Sequence, residues 1–169
     1  MCQVGVGLGR TGRILIPLFL WHKNRLKAPM LYISEYLKDN REIYTQKLLD
    51  ISEKGKWEEW VKFFLDAVEV QAGRNATKAL EVLKLYDQMK TSIPNITESP
   101  YGIVVLDTLF RLLTFRCTDF KNIANLNAQT SNRILSRLKD EGILITLKEA
   151  SGRSPEVLRF SPLYELIKS

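Results

Sequence analysis

Cysteine and histidine are almost absent from this chain of 169 residues, which holds two of the first and one of the second. Cys2 and Cys117 stand far apart with no second cysteine or histidine beside either, so neither a disulfide framework nor a zinc site is expected. Scarce cysteine fits a reducing cytoplasm. Long apolar runs are missing too. The longest, Ile14 to Trp21, is interrupted by Pro17 and falls well short of the roughly 20 residues a membrane helix needs. Arg10 and Arg13 precede it, but His22, Lys23 and Arg25 follow where a signal peptide carries its small-residue cleavage site. No membrane partner is therefore expected, and no internal repeat or low-complexity tract is present.

What is there is an ordinary globular composition, 45% hydrophobic and 26% charged, long enough for two small domains. The net charge of +6 is diffuse: residues 1–100 and 101–169 each contribute +3. A surplus spread this evenly is weak support for a phosphate or nucleic-acid partner.

Periodicity predicts a mainly α protein. Ile14, Leu15, Leu18 and Phe19 mark a mostly buried helix from Arg13 to about Arg25, with Pro17 in its first turn. Pro29 opens a second helix running to about Ser52, and Gly55 breaks it. A third begins near Lys56 and holds its stripe through Trp57, Trp60, Phe64, Val68, Leu80 and Leu83 to about Lys90. Thr91 to Pro100 is dense in turn formers, which places a linker at 93–100 between domains 1–92 and 101–169. Beyond it the expected order is a helix from Tyr101 to Phe115, a short helix capped by Thr118 or Asp119 and ending near Leu126, a third from Gln129 to Asp140, a hairpin, and a last short helix. The hairpin strands are Ile143 to Leu147 and Val157 to Phe160, joined by a turn over residues 151–155.

Residues 120–138 have the spacing a helix-turn-helix requires. Ala124 is small where two helices cross, and Ile134, Leu135 and Leu138 give the second helix a buried stripe. Gln129, Thr130, Asn132, Arg133, Ser136 and Arg137 are left facing outward. Such side chains hydrogen-bond to base edges and phosphates, and Lys139, Lys148 and Arg153 extend a positive rim. The run Leu138-Lys139-Asp140-Glu141-Gly142-Ile143-Leu144 resembles the passage from recognition helix into wing strand of the winged helix-turn-helix family. This resemblance implies a small β-hairpin as the wing and DNA as the partner. The bland alternative is that Arg133 and Arg137 are a solvated helix face on a protein-docking or packing module.

At the other end Gly7-Leu8-Gly9-Arg10-Thr11-Gly12-Arg13 runs into a helix, a layout able to present N–H groups and arginines to a phosphate. Taken with Pro29-Met30-Leu31-Tyr32-Ile33-Ser34-Glu35-Tyr36 and Trp57-Glu58-Glu59-Trp60, this segment resembles the Fic family. The resemblance implies an all-helical fold that transfers AMP from ATP to a hydroxyl of a target protein with Mg²⁺. In that register Cys2 stands where the family has its histidine base, Val6 where it has the metal-binding acid and Leu8 where it has an asparagine. Only Gly7, Gly9, Arg10, Thr11, Gly12 and Arg13 match, as a phosphate-binding remnant. A chain lacking the base and the acid is expected to be catalytically inactive. The helices that precede the motif in the family have no counterpart here, so the resemblance implies a truncated Fic-type domain followed by a winged helix-turn-helix. No metal and no cofactor are expected, while ATP and Mg²⁺ belong to the full-length family. His22, beside Trp21, is expected to be packed or exposed rather than catalytic. Trp57, Trp60, Phe63 and Phe64 are too many to be covered by one neighbour, which predicts a homodimer through the N-terminal helices. Two functions follow: an inactive Fic remnant acting as a winged-helix DNA-binding regulator, or part of a Fic protein adenylyltransferase whose winged helix docks a target protein.

Overall fold

The structure is a computed structural model that describes residues 8–27, 31–152 and 154–168. It is mainly helical, with one small antiparallel sheet. The chain divides into two compact units, residues 1–77 and 78–169. Cys2, Val6, Gly7, Pro29 and Arg153 lie outside the described residues. Among the described residues no helix is long and apolar enough to cross a membrane.

The first unit holds helices α1 (Leu8–His22), α2 (Ser34–Asp39), α3 (Arg41–Lys54) and the first half of α4 (Trp57–Thr97). Its core is small. Ile33, Leu37 and Ala67 are buried, with Ile16, Tyr36, Tyr44, Phe63, Phe64 and Val68 packed against them. Trp60 stacks on Phe64 at 5.2 Å between ring centres, an arrangement that lets two aromatics share one slot. Lys47 and Lys56 both reach Glu59 at 2.8 Å, and the lysines, Lys47 first, hold the Glu59 carboxyl down to about 2.

Three expectations fail here. Helix α1 is already formed by Leu8, so Pro17 lies well inside it rather than in the first turn; burial of Pro17 and the packing of Ile16 on the Ile33, Leu37 and Ala67 core offset the one ladder bond a proline removes. Nor is this helix mostly buried, since Ile14, Leu15, Leu18, Phe19 and Trp21 are all exposed. The expected single helix from Pro29 to Ser52 is two helices, because Asn40 breaks it. Asn40 leaves helical backbone angles, and both its backbone N–H and its side-chain Nδ2 donate to the Tyr36 carbonyl at 3.0 Å. An asparagine side chain competing for backbone groups in this way is a common helix end. Gly55, in the left-handed region at φ 66°, closes α3 as expected.

The second unit combines the C-terminal half of α4 with α5 (Gly102–Arg111), β1 (Thr114–Arg116), α6 (Cys117–Ala124), α7 (Ala128–Asp140), β2 (Leu144–Lys148), β3 (Val157–Phe160) and α8 (Ser161–Lys168). The strands are ordered β1-β3-β2. Phe115 pairs with Leu158 on one side of β3, and Thr146 pairs with Leu158 on the other. A large core of Val105, Leu106, Leu109, Phe120, Ile134, Leu138 and Phe160 fills the space between sheet and helices.

The expected linker at 93–100 is instead largely helix. Helix α4 continues to Thr97, and Ile93 and Thr97 are fully buried. Pro94 is tolerated because burying Ile93 offsets the lost bond, and Thr97 Oγ1 donates back to the Ile93 carbonyl at 2.8 Å. The helix expected to reach Phe115 stops at Arg111, because Thr114 to Arg116 pair with β3 as an extra strand. Thr118 and Asp119 fall inside α6 rather than before it. Asp119 Oδ2 instead accepts from the Arg116 N–H at 3.4 Å, as an N-terminal acid does in a capping box.

Gly102 opens α5 against Pro94. An added Cβ there would lie 2.7 Å from the Pro94 Cα, a backbone atom that cannot swing aside. Gly102→Ala is therefore expected to destabilise by about 1 to 3 kcal/mol, as overpacking does. Thermal unfolding followed by circular dichroism checks this: an unchanged midpoint would show that α4 and α5 separate at no cost.

Candidate nucleic-acid interface

Helix α7 is built by a short turn and a cap. Asn125, at φ 52°, ends α6 in the left-handed region that asparagine tolerates better than most residues. Asn127 then accepts the Thr130 N–H on its Oδ1 at 2.8 Å and starts α7. Ser131, Ile134, Leu135 and Leu138 are the buried stripe. Gln129, Asn132, Arg133 and Ser136 are exposed, and their i, i+3, i+4, i+7 spacing gathers them on one side of the helix. Thr130 is half-buried at the edge of this face. Lys148 is exposed at the end of β2, beside the bulge between Thr146 and Lys148.

Two of the cations expected on this surface are engaged elsewhere. Arg137 Nη1 contacts Glu98 Oε2 at 2.7 Å and donates to the Ile96 carbonyl at 3.3 Å. That carbonyl is among the last of α4, so the guanidinium neutralises the negative end of a helix rather than facing outward. Lys139 Nζ donates to Glu156 Oε1 at 2.9 Å. The reason in both cases is proximity to an acid that sequence spacing hides: Glu98 lies 39 residues from Arg137, and Glu156 lies 17 from Lys139.

Glu156 is the centre of a four-residue network. Besides Lys139 it accepts from Thr146 Oγ1 at 2.9 Å and from the Cys117 thiol at 3.4 Å. Burial works to raise its pKa, but these donors outweigh it and hold the carboxyl below its ordinary value. The Cys117 thiol is pushed up to about 11, by burial first and by its bond to Glu156 second. A thiol held neutral in this way is a poor nucleophile and a poor metal ligand. The network borders a cavity of about 320 Å³ that also touches Asn132 and Ser136. It therefore joins the N-terminus of α6, helix α7 and the hairpin at one place. Neither Glu98 nor Glu156 was singled out by sequence reasoning, and no local signal marks them.

The described N-terminal candidates all belong to helix α1: Gly9 and Arg10 lie in its first turn, whose backbone N–H groups have no partner within the helix, while Gly12 and Arg13 lie beyond it, where the N–H groups bond within the helix itself. A cavity of about 410 Å³ lies beside them within the first unit, but Pro17, Leu18, Leu31 and Ile33 make its lining mostly apolar, with Arg13 and Ser34 as the polar exceptions. His22 is exposed at the end of α1. Among the described residues no group of three or more His, Cys, Asp and Glu side chains is placed to hold a metal ion. No protein-family model matches the chain.

Replacing Glu156 by Gln tests the network. Because the carboxyl titrates below its unfolded value, its contribution is present above about pH 4.5 and is lost as pH falls through the lowered value. The Cys117 contribution has the opposite sign: it is full below about pH 9 and disappears as pH rises toward 11. Glu156→Gln is expected to cost about 1 to 2 kcal/mol at neutral pH and to flatten the acid limb of the stability curve. In a Cys2→Ser background it should also speed alkylation of Cys117 at pH 9. Unchanged stability and unchanged alkylation would sink the network as a joint between helix and hairpin.

Proposed function

We propose that residues 78–169 form a winged helix-turn-helix that binds duplex DNA, with α7 as the recognition helix and the β2–β3 hairpin as the wing. The observation that carries this reading is the order α5-β1-α6-α7-β2-β3 with strand order β1-β3-β2, joined to an exposed α7 face of Gln129, Asn132, Arg133 and Ser136. Such a helix fits a major groove, and amide and guanidinium groups at that spacing match the donors and acceptors of base edges. The first unit enters this proposal as a Fic-like helical remnant without nucleotide transfer, on the resemblance set out above and on the valine, cysteine and leucine at the motif's working positions.

Arg137 and Lys139 leave the contact set, and Arg133 becomes the one cation on the exposed face of α7. Lys148 at the end of β2 and Lys121 of α6 are further exposed cations of this unit. Few cations mean few displaced counterions, so the salt dependence should be shallow, with a slope of roughly −2 to −3 for about three phosphate contacts. The neutralised pair Arg137 and Lys139 favours the second reading, in which this face docks a target protein as part of a Fic-type adenylyltransferase.

Fluorescence anisotropy with a random duplex pool, followed by selection of a preferred sequence, separates the two. Under the first reading Arg133→Ala weakens binding about 5- to 160-fold, in line with about 1 to 3 kcal/mol for a base-reading contact. Asn132→Ala relaxes sequence preference. Arg137→Ala lowers the melting temperature while leaving the salt slope unchanged. Absence of DNA binding at low salt by a folded protein would eliminate the DNA reading and leave the docking one.

A further inference from the structure

Helix α1 is apolar on both of its sides. Ile16, Pro17 and Leu20 face the first unit, where Pro17 is buried and Ile16 packs on the Ile33, Leu37 and Ala67 core. Outside that contact Ile14, Leu15, Leu18, Phe19 and Trp21 stand exposed, Ile14 at 64% and Phe19 at 60%, with Ile14 and Leu18 also lining the open cavity shared with Leu31 and Ile33. Over Ile14 to Trp21 the helix is hydrophobic all round, a pattern that goes with burial of the whole circumference, and here half of it is open. No charged side chain interrupts the run from Ile14 to Trp21.

We infer that this outer side of α1 is a self-association surface, occupied by the α1 helix of a second copy of the chain. The area argues for it. Five large side chains, each about half open, offer on the order of 100 Å² apiece. Two copies would thus bury about 1,000 Å², the threshold at which a contact becomes a specific interface rather than a chance one. Patches on ordinary monomers reach roughly 300 to 600 Å² and are commonly functional at the upper end. The chemistry selects the partner. From Ile14 to Trp21 the indole N–H of Trp21 is the single side-chain hydrogen-bonding group, so the surface suits an equally apolar strip of similar length, and a two-fold axis supplies one from the same sequence. Each copy also carries a net charge of +6, so the pairing works against repulsion that salt screens.

The inference is independent of DNA binding, and its test leaves Arg133 and the α7 face untouched. Sedimentation velocity on the full chain, across about a hundredfold range of concentration and at two salt levels, should show a monomer–dimer equilibrium that tightens with salt, opposite in sign to a DNA contact. Leu15→Glu/Phe19→Glu should raise the dissociation constant at least about 100-fold with the helical circular dichroism retained. Leu15→Gln/Phe19→Gln gives the same result without added charge, and Ile103→Glu on α5 leaves the dimer intact. A wild-type monomer at every concentration would overturn the inference. So would a mass that grows past two copies, or a dimer that survives both α1 variants.

Discussion

The second unit depends on strand β3 being paired along both edges. Val157 to Phe160 is only four residues long, yet it holds β1 on one side and β2 on the other. Its inward residues Leu158 and Phe160 are completely buried in the core that also takes Phe120, Ile134 and Leu138. An isolated two-stranded hairpin is marginal in water, whereas a third strand and a helical layer give it a hydrophobic face to bury. Thr114 to Arg116 supply that third strand, and doing so ends α5 early and starts α6 directly after. The placement of α7 against the hairpin follows from this closure, with Glu156 immediately before β3 fastening Lys139, Thr146 and Cys117.

Charge on the α7 surface is spent in two ways. Arg137 and Lys139 hold the helix in place by pairing with Glu98 and Glu156. Arg133, with Asn132, Gln129 and Ser136 around it, is left to meet whatever the surface binds. A helix that commits its cations inward gains a defined orientation and gives up long-range attraction, because a paired charge contributes little to the field a distant polyanion feels.

Much of this was legible in the sequence. Turn chemistry and apolar period located α7 to within a residue, Gly55 marked the end of α3, and Val157 to Phe160 was assigned as a strand with the bounds it has. What misled was the use of local signals where packing decides. Pro94, Asn95 and Pro100 read as a linker, yet Ile93 and Thr97 are buried and the helix persists. Phe115 read as the end of a helix, yet a strand partner more than forty residues away claimed it. Arg137 and Lys139 read as outward cations because nothing near them in sequence is their counter-ion.

The sequence by itself determined the mainly helical class, the cap and stripe of α7 and the hairpin, because these rest on interactions spanning a few residues: an asparagine on the N–H three positions on, a side chain every third or fourth place. Only the tertiary structure decided the third strand, the length of α4, which cations are neutralised and which side of α1 stands open. Those outcomes depend on groups brought together from distant parts of the chain, and burial and ion pairing at such separations leave no periodic trace.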